Sequence, residues 1–290
     1  WIICRLGHTA PQRKPLQMRG YSYHWTMKNL DLSIVDGLAT VSLNRPEKKN
    51  ALTEESFNAL YEAGVSLQQT PGLRAVIITG AGADFCAGID LQFLQSLLPR
   101  LDEIRAEMRN LNQEGAANWF QRPCYIWREL QVPVIAAIDG VCIGAGLQLA
   151  LCADIRLVSP NTRMSIMEAK WGLIPDMGIT QALPQLMRVD QAKELMMTAR
   201  MMTAETAQQV GLATRIVEDP LAAAQQLAFE IMSRSPEAVN GSKALIDQTW
   251  TLPMGEGLAI EGALQADIIG TPNQMESVMA GTSKRAPLFK

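Results

Sequence analysis

Histidine is scarce in this chain. Its 290 residues include only two, His8 and His24, and both lie near the N-terminus. A Ser-His-Asp triad, a Cys-His dyad or a histidine-based metal site would have to draw on that segment. We therefore expect no metal site, and we predict that proton transfer in the body of the chain uses Asp, Glu, Lys, Tyr or Cys, with carboxylates favoured.

Paired cysteines and an excess of positive charge are also missing. The five cysteines are scattered and odd in number, and none forms a CxxC pair or a zinc-ligand spacing. This usage is typical of a reducing, intracellular compartment, so we expect a cytoplasmic location. A net charge of −3 argues against nucleic acid as a partner.

One long apolar run raises the question of a membrane span. Residues 132–152 are nearly continuous in apolar and small residues, which is close to the length that crosses a bilayer. Asp139 and Gln148 interrupt the run, and glycines break it near its middle. We therefore predict a buried strand, a turn and a buried helix, and no membrane partner.

The first 26 residues differ from the rest of the chain. They contain four basic residues and no acid. This composition is typical of an organellar transit peptide, which would make the location organellar. An upstream extension is the other interpretation, and we favour it because serine is scarce there. On either interpretation we expect residues 1–28 to lie outside the fold.

Regular patterns begin at Leu30. Alternating apolar residues flank Asp36-Gly37, a hairpin signal, and Thr53 is typical of a helix N-cap. Buried strands are predicted over 75–79, 132–138, 155–158 and 164–167, and helices over 186–198, 204–209, 222–233, 237–249 and 260–269. Strands alternating with helices, followed by helices alone, predict an α/β core over residues 29–200 and a helical subdomain over 201–290.

Two glycine-rich loops each follow a predicted buried strand. They contain Ala87-Gly88-Ile89 and Gly144-Ala145-Gly146. Glycine lets a backbone approach a ligand closely, and N–H groups at a helix start favour negative charge. Two converging N–H groups would form an oxyanion hole for a carbonyl that gains enolate character. The structural alternative is two tight turns without a ligand.

Two acids, Glu168 and Asp176, stand eight residues apart in apolar surroundings punctuated by proline and glycine. Burial in such surroundings would raise both pKa values towards the range that is useful for acid–base catalysis. The structural alternatives are a salt bridge from an acid to Lys170 or Arg163, or a helix cap by Asp176.

Four motifs in order connect the chain to a known family. They are Ala87-Gly88-Ile89-Asp90, the run IAAIDGVCIGAG, Cys152-Ala-Asp154-Ile-Arg156 and Trp171-Gly-Leu-Ile-Pro-Asp176. Together they resemble the crotonase (enoyl-CoA hydratase/isomerase) superfamily over about residues 29–290. The resemblance implies an α/β fold with a crotonase-like spiral core of repeated ββα units, a C-terminal helical trimerisation subdomain, and a homotrimer or a dimer of trimers. It also implies an acyl-CoA thioester as substrate, with no other cofactor.

The resemblance further assigns site residues. It places the oxyanion-hole N–H groups on Ile89 and Ala145 and the catalytic acids on Glu168 and Asp176. The residues expected to bind the substrate and its CoA lie on the loops around these groups: Lys48, Asn50, Ala51, Leu52, Ala87, Gly88, Asp90, Gly144 and Gln148.

The acid positions distinguish branches of the family. In the hydratases that this chain resembles, two glutamates act; the second falls on Glu168, but the first falls on Gln148, which cannot act as a base. Dienoyl-CoA isomerases instead place a Glu and an Asp eight residues apart, as Glu168 and Asp176 are, although they carry a further Asp where this chain has Gln148. We therefore predict an isomerase that converts a 3,5-dienoyl-CoA to a 2,4-dienoyl-CoA in fatty-acid β-oxidation. An enoyl-CoA hydratase and a non-catalytic acyl-CoA-binding protein are the alternatives.

Overall fold

The computed structural model describes residues 22–109 and 117–290. The question of a transit peptide or an extension over residues 1–21 lies outside the described residues.

The strands form two sheets. The larger sheet has the order β1-β2-β3-β4-β5-β7-β10, and the smaller has the order β6-β8-β9. The strands are β1 (Ser22–Met27), β2 (Leu30–Val35), β3 (Leu38–Leu43), β4 (Ala75–Gly80), β5 (Val134–Ile138), β6 (Val141–Ile143), β7 (Ile155–Val158), β8 (Arg163–Ser165), β9 (Met202–Thr203) and β10 (Arg215–Ile216). In the larger sheet β1, β2 and β3 pair antiparallel, and the pairs from β3 to β10 are parallel.

Helices connect the strands and then form the C-terminal region. They are α1 (Glu54–Gln68), α2 (Leu91–Ser96), α3 (Leu101–Arg109), α4 (Arg122–Tyr125), α5 (Ala145–Leu151), α6 (Ile179–Leu186), α7 (Val189–Thr198), α8 (Ala204–Gln209), α9 (Pro220–Met232), α10 (Pro236–Thr249), α11 (Met254–Ile268) and α12 (Pro272–Thr282). The predicted α/β fold with a helical C-terminal region is confirmed.

Local signals account for the first elements of the sheet. Asp36 and Gly37 both have positive φ values, +48° and +85°, which is the geometry of a tight hairpin turn between β2 and β3. The side chain of Thr53 accepts a hydrogen bond from the N–H of Ser56, so it caps α1 as predicted.

The parallel strands are buried because they are covered on both faces. All five residues of β5 are buried. One face of the sheet belongs to the main core, and the other packs against Ala224 and Ala228 of α9. The apolar run over residues 132–152 therefore forms β5, β6 and α5, as predicted. Within the two described ranges, no helix is long and apolar enough to cross a membrane.

The structure corrects both predicted boundaries. Strand β1, over Ser22–Met27, pairs with β2 along its whole length, so the fold begins before residue 29. The core also continues past residue 200, because β9 pairs with β8 and β10 pairs with β7. These edge strands contain two residues each, which is too short for a periodic signal in the sequence.

An ion pair joins α10, one of the C-terminal helices, to the sheet. Lys243 of α10 donates to Asp154 at 2.8 Å, and Asp154 accepts a second hydrogen bond, from the N–H of Val134, at 2.7 Å. Asp154 lies in the cysteine–arginine motif noted in the sequence, so this motif joins α10 to the start of β5.

Candidate active site

Three segments meet at the loop that contains Gly88. The N–H of Leu52 donates to the carbonyl of Gly88 at 2.8 Å, and the N–H of Asp90 donates to the carbonyl of Leu52 at 2.9 Å. On the other side of the loop, Cys86 and Cys142 form a parallel bridge that holds β6 against it. The two glycine-rich loops therefore lie side by side.

The main-chain N–H groups of Ile89 and Ala145 are both available to a ligand. The neighbours of Ile89 make the hydrogen bonds to Leu52, so the N–H of Ile89 points away from Leu52. Ala145 is the first residue of α5, where an N–H has no partner within the helix. Neither amide donates a hydrogen bond to any described residue. A Cβ built on Gly88 would lie 3.8 Å from the nitrogen of Ala145, so the two amides are neighbours.

Gly144 brings a carboxylate next to this amide pair. It has φ +54° and ψ −126°, a conformation that residues with a side chain rarely adopt. A Cβ at Gly144 would lie 3.8 Å from Oε1 of Glu168 and 3.9 Å from the Cα of Gly88. The backbone conformation, and not a lack of space, therefore favours glycine here, and the distances place Glu168 beside the two loops.

Glu168 is a buried acid with one unpaired oxygen. It begins a 3₁₀ helix, Glu168–Trp171, where the sequence predicted the end of a strand. Oε1 accepts a hydrogen bond from Nε2 of Gln148 at 2.7 Å, whereas Oε2 is buried and accepts none from the described residues. Burial raises the pKa of Glu168, and the negative charge of Asp176 raises it further. No salt bridge joins it to Lys170 or Arg163 in this part of the structure.

Asp176 lies in the turn before α6, and it is half-buried. Burial raises the pKa of its carboxyl group. The N-cap of α6 is Gly178, with no capping side chain, so the alternative in which Asp176 caps this helix is wrong. The N–H of the next residue, Met177, donates to Oε1 of Gln148 at 2.7 Å. Gln148 therefore bonds both to Glu168 and to the turn that contains Asp176.

A cleft of about 420 Å³ opens beside these groups. Nine of the predicted site residues line it: Lys48, Ala51, Ala87, Gly88, Ile89, Asp90, Gly144, Ala145 and Glu168. Asn50, Leu52, Gln148 and Asp176 were also predicted, but they are absent from the described lining. Lys170, Trp171 and Leu173 line the cleft as well, and the sequence analysis did not assign them to it. For Trp171 and Leu173, the available signal was their position in the sequence between the two predicted catalytic acids.

Two residues predicted to bind the substrate support the loops. The side chain of Asn50 is buried; its Nδ2 donates to the carbonyls of Ala81 and Asp84, and its Oδ1 accepts from the N–H of Arg45. Leu52 is buried in the main core. Their side chains are therefore enclosed by protein, so a contact with the substrate would have to come from the main chain, and their predicted role in binding stays a prediction.

The carboxylate of Asp90 is also occupied by protein groups. Its Oδ2 accepts from Arg45 at 2.7 Å, and its Oδ1 accepts from the N–H groups of Gln92 and Phe93, so it caps α2. The hydrogen bond from Arg45 is the main cause that lowers the pKa of Asp90. Arg45 therefore ties the loop at residues 45–52 to the start of α2, a role that the sequence analysis missed.

Metal-binding side chains and reactive thiols are the other groups that could carry chemistry. The described residues contain no group of three or more His, Cys, Asp and Glu placed to hold a metal ion. Cys86, Cys124, Cys142 and Cys152 are buried as free thiols. Burial raises the pKa of Cys86 and of Cys152 to about 12, which opposes a thiolate role.

Comparison with known proteins identifies the family of the chain. Residues 33–290 match the family model described as enoyl-CoA hydratase/isomerase. The chain is 33% identical over 292 residues to the mitochondrial enoyl-CoA hydratase domain-containing protein 2 of Bos taurus, covering 95% of this chain and 94% of the relative. It is 32% identical over 303 residues to the mitochondrial methylglutaconyl-CoA hydratase of Mus musculus, covering 99% and 91%.

Solved structures show the same fold. A putative enoyl-CoA hydratase from Streptomyces coelicolor A3(2) superimposes with a TM-score of 0.83 at 29% identity, covering 98% of each chain. The enoyl-CoA hydratase from Bacillus anthracis superimposes with a TM-score of 0.82 at 29% identity, covering 90% of this chain and 99% of the other. The chain therefore belongs to the crotonase superfamily of enoyl-CoA hydratases and isomerases.

Proposed function

We propose that this enzyme of the hydratase/isomerase family converts a 3,5-dienoyl-CoA to a 2,4-dienoyl-CoA. The observation that carries the proposal is the pair of acids with raised pKa values, Glu168 and Asp176, where position 148 holds a glutamine and not a second glutamate. An amide cannot take a proton from water, whereas two acids with raised pKa values suit the removal and return of a proton.

The reaction begins with loss of a proton from C2 of the acyl chain. The thioester oxygen accepts hydrogen bonds from the N–H groups of Ile89 and Ala145, which stabilise the negative charge that develops there. Asp176 is assigned as the base, following the family resemblance, and its raised pKa makes it a stronger base than an ordinary aspartate. The electron pair of the broken C2–H bond spreads over the conjugated chain as an extended dienolate.

The second step returns a proton at C6. Glu168 is assigned as the donor, because its raised pKa favours the protonated form. A C6–H bond forms, and the double bonds move from positions 3 and 5 to positions 2 and 4. Asp176 ends protonated and Glu168 ionised, so one proton passes from Asp176 to Glu168, directly or through solvent, before the next turnover. In this proposal the CoA belongs to the substrate, and no other cofactor takes part.

Two variants test the assignment. Asp176→Asn and Glu168→Gln should each lower turnover by about 10²-fold or more, as expected for loss of a general acid or base. In D₂O, Glu168→Gln should still exchange deuterium into C2, because the base remains, and Asp176→Asn should not. Asp190→Asn, at an exposed position, is the control. Full turnover in either active-site variant would refute the proposal.

Hydration of a 2-enoyl-CoA is the second candidate, because several of the relatives are named hydratases. The two reactions separate in one assay. The protein is given a short 2-enoyl-CoA and a 3,5-dienoyl-CoA in parallel, and the loss of enoyl absorbance is compared with the gain of 2,4-dienoyl absorbance. We expect the second reaction to dominate. Acyl-CoA binding without turnover of either substrate would favour a non-catalytic protein and refute both.

A further inference from the structure

Gln148 lies between Glu168 and the turn that contains Asp176, and it is absent from the described lining of the cleft. Its side chain is 2% exposed, and it projects from α5, a helix whose residues are all buried. A buried carboxamide is stable only when its oxygen and its N–H groups have partners. The partners of Gln148 are the N–H of Met177 and a carboxylate oxygen of Glu168, both at 2.7 Å.

The backbone decides which way the carboxamide faces. The main-chain N–H of Met177 can only donate, so it requires the oxygen of Gln148 on its side. The NH₂ group must then face Glu168. Gln148 is thus a donor to Glu168 in every protonation state of that acid, and the orientation does not depend on an arbitrary choice of the amide rotamer.

This contact distinguishes the two oxygens of Glu168. Oε1 faces an N–H donor, whereas Oε2 has no partner among the described residues. A proton on Glu168 is therefore favoured on Oε2, since a proton on Oε1 would compete with the donor for the same side of that oxygen. The same bond to Met177 holds the turn next to Asp176, where Gly178 with φ +94° follows without a side-chain cap. One side chain thus bonds to Glu168 and to the backbone of the turn that carries Asp176.

We propose that Gln148 is a positioning residue, which fixes the proton-carrying oxygen of Glu168 and holds the turn of Asp176 through its two hydrogen bonds. The inference rests on the proposed role of Glu168 as a proton carrier. It replaces the expected role of Gln148 as a substrate-binding residue, because the side chain is enclosed between Glu168 and Met177 and does not line the cleft.

A glutamate at this position would act differently. Its carboxylate would still accept from Met177, but it would bring a second acid to the place where a donor now faces Glu168. Two carboxylates in such contact share one proton, which raises the pKa of the pair. The neutral amide keeps Glu168 as the single titrating group at this contact, and the pH profile should reveal the difference.

Three variants test the role. Gln148→Met keeps the length of the side chain and removes both hydrogen bonds, Gln148→Glu replaces the donor by an acid, and Leu149→Met is a control for repacking of the same buried helix. Gln148→Met should lower kcat by about 10- to 100-fold, because a small displacement of a catalytic group has effects of this size. The Kd of an unreactive acyl-CoA thioester should change by less than about threefold, since no contact with the ligand is lost.

The pH dependence of kcat distinguishes this role from a purely structural one, which would leave the pH dependence unchanged. The alkaline limb, at which the proton donor Glu168 ionises, should move to higher pH in Gln148→Met, because the ionised form of Glu168 loses a hydrogen-bond donor. It should move further in Gln148→Glu. An unchanged kcat in Gln148→Met, an unmoved limb, or a loss of acyl-CoA affinity equal to the loss of kcat would each overturn the inference.

A measurement on the wild type covers the case in which Gln148→Met fails to fold. In ¹⁵N-labelled protein, the side-chain NH₂ signal of Gln148 should shift with pH as Glu168 titrates, and the shift should be absent in Glu168→Gln. If no side-chain amide behaves in this way, the inference fails. This test needs no turnover, so a wild type that isomerises nothing would refute the proposed function and leave the positioning role to be decided by the amide signal.

Discussion

At the scale of single residues, Glu168 shows how one group can suit catalysis and oppose stability. Its carboxylate is buried, one of its oxygens is unpaired, and its pKa is raised by that burial. An ionised group in this position is less stable in the folded protein than in the unfolded chain, where water solvates it. The site therefore keeps an acid whose charge the fold does not fully compensate.

Replacement of this acid should consequently stabilise the protein at high pH. Below the unfolded-state pKa of a glutamate, about 4.3, the carboxyl is protonated in both states and ionisation adds no penalty. As pH rises through the raised pKa of the folded state, the carboxyl ionises and the wild type loses stability, whereas Glu168→Gln does not. We expect the variant to gain about 1 kcal/mol of unfolding free energy near pH 8, and the gain to disappear near pH 4. Urea unfolding at the two pH values measures it.

Glu55→Gln is a control, because this substitution should change the free energy of unfolding in the opposite direction. The hydrogen bond from Lys28 is the main cause that lowers the pKa of Glu55 to about 2. This carboxylate stabilises the fold above its unfolded-state pKa, and that contribution is lost as pH falls towards the folded-state value. Glu55→Gln should therefore be destabilised at neutral pH, although weakly, because the pair is exposed to solvent. A stability gain in Glu168→Gln that did not change with pH would contradict the linkage argument.

At the scale of elements, the active-site loops depend on one close backbone approach. Gly88 has φ +91°, and a Cβ there would lie 3.1 Å from the carbonyl oxygen of Ile143. Gly172 also has a positive φ, +71°, but a Cβ there would meet nothing within 4 Å. The two glycines share a backbone conformation that disfavours side chains, and they differ in whether a side chain has space.

Substitution of alanine at each of these two glycines should separate the cost of the backbone conformation from the cost of steric overlap. Gly172→Ala should destabilise the protein by about 1 kcal/mol, the cost of the backbone conformation alone. Gly88→Ala should be destabilised by more, and it should lower turnover by about 10²-fold or more, because the carbonyl it displaces adjoins Ala145 of the amide pair. Thermal unfolding and turnover of both variants check this. Equal losses of activity in the two would contradict the role given to the Gly88 loop.

The elements that the sequence could predict are those with a local signal. The hairpin at Asp36-Gly37, the cap at Thr53 and the strand at β5 were predicted because their signals are local: a turn pair, a side-chain acceptor and a short apolar run. Strands β9 and β10 were not, because each is two residues long and pairs with a strand distant in the chain. Strand β1 pairs with its neighbour β2, but it was missed because it falls in the segment that we predicted to lie outside the fold, and none of its residues is buried.

The active site could also be predicted only in part. Chemically distinctive residues such as Glu168 and Gly88 were identified and do come together in one cleft. The partners of Gln148 and of Asn50 were missed, because a side chain that bonds to protein and one that bonds to a ligand have the same letter in a sequence. Deciding between them requires distances across the fold.

At the scale of the whole molecule, α10 and α11 leave a large apolar surface uncovered. No residue of α11 is buried within the chain, although most of the helix is apolar. Trp250, at the end of α10, is 61% exposed, and Met254 and Leu258, in α11, are 81% and 59% exposed. Contiguous apolar surface of this kind is typical of a contact between proteins, since exposure to water is unfavourable. A second copy of the chain is the partner that the family resemblance implies.

We therefore expect the protein to self-associate through this surface as a trimer or a dimer of trimers. Light scattering after gel filtration should give a mass three or six times that of the chain. The double variant Met254→Glu with Leu258→Glu should shift the mass towards one chain, because it would place two charges in an apolar contact. Val35→Glu, at an exposed apolar position on the hairpin of β2 and β3, should leave the mass unchanged. A wild type with the mass of one chain would show that α11 stays exposed, and the expected assembly would be wrong.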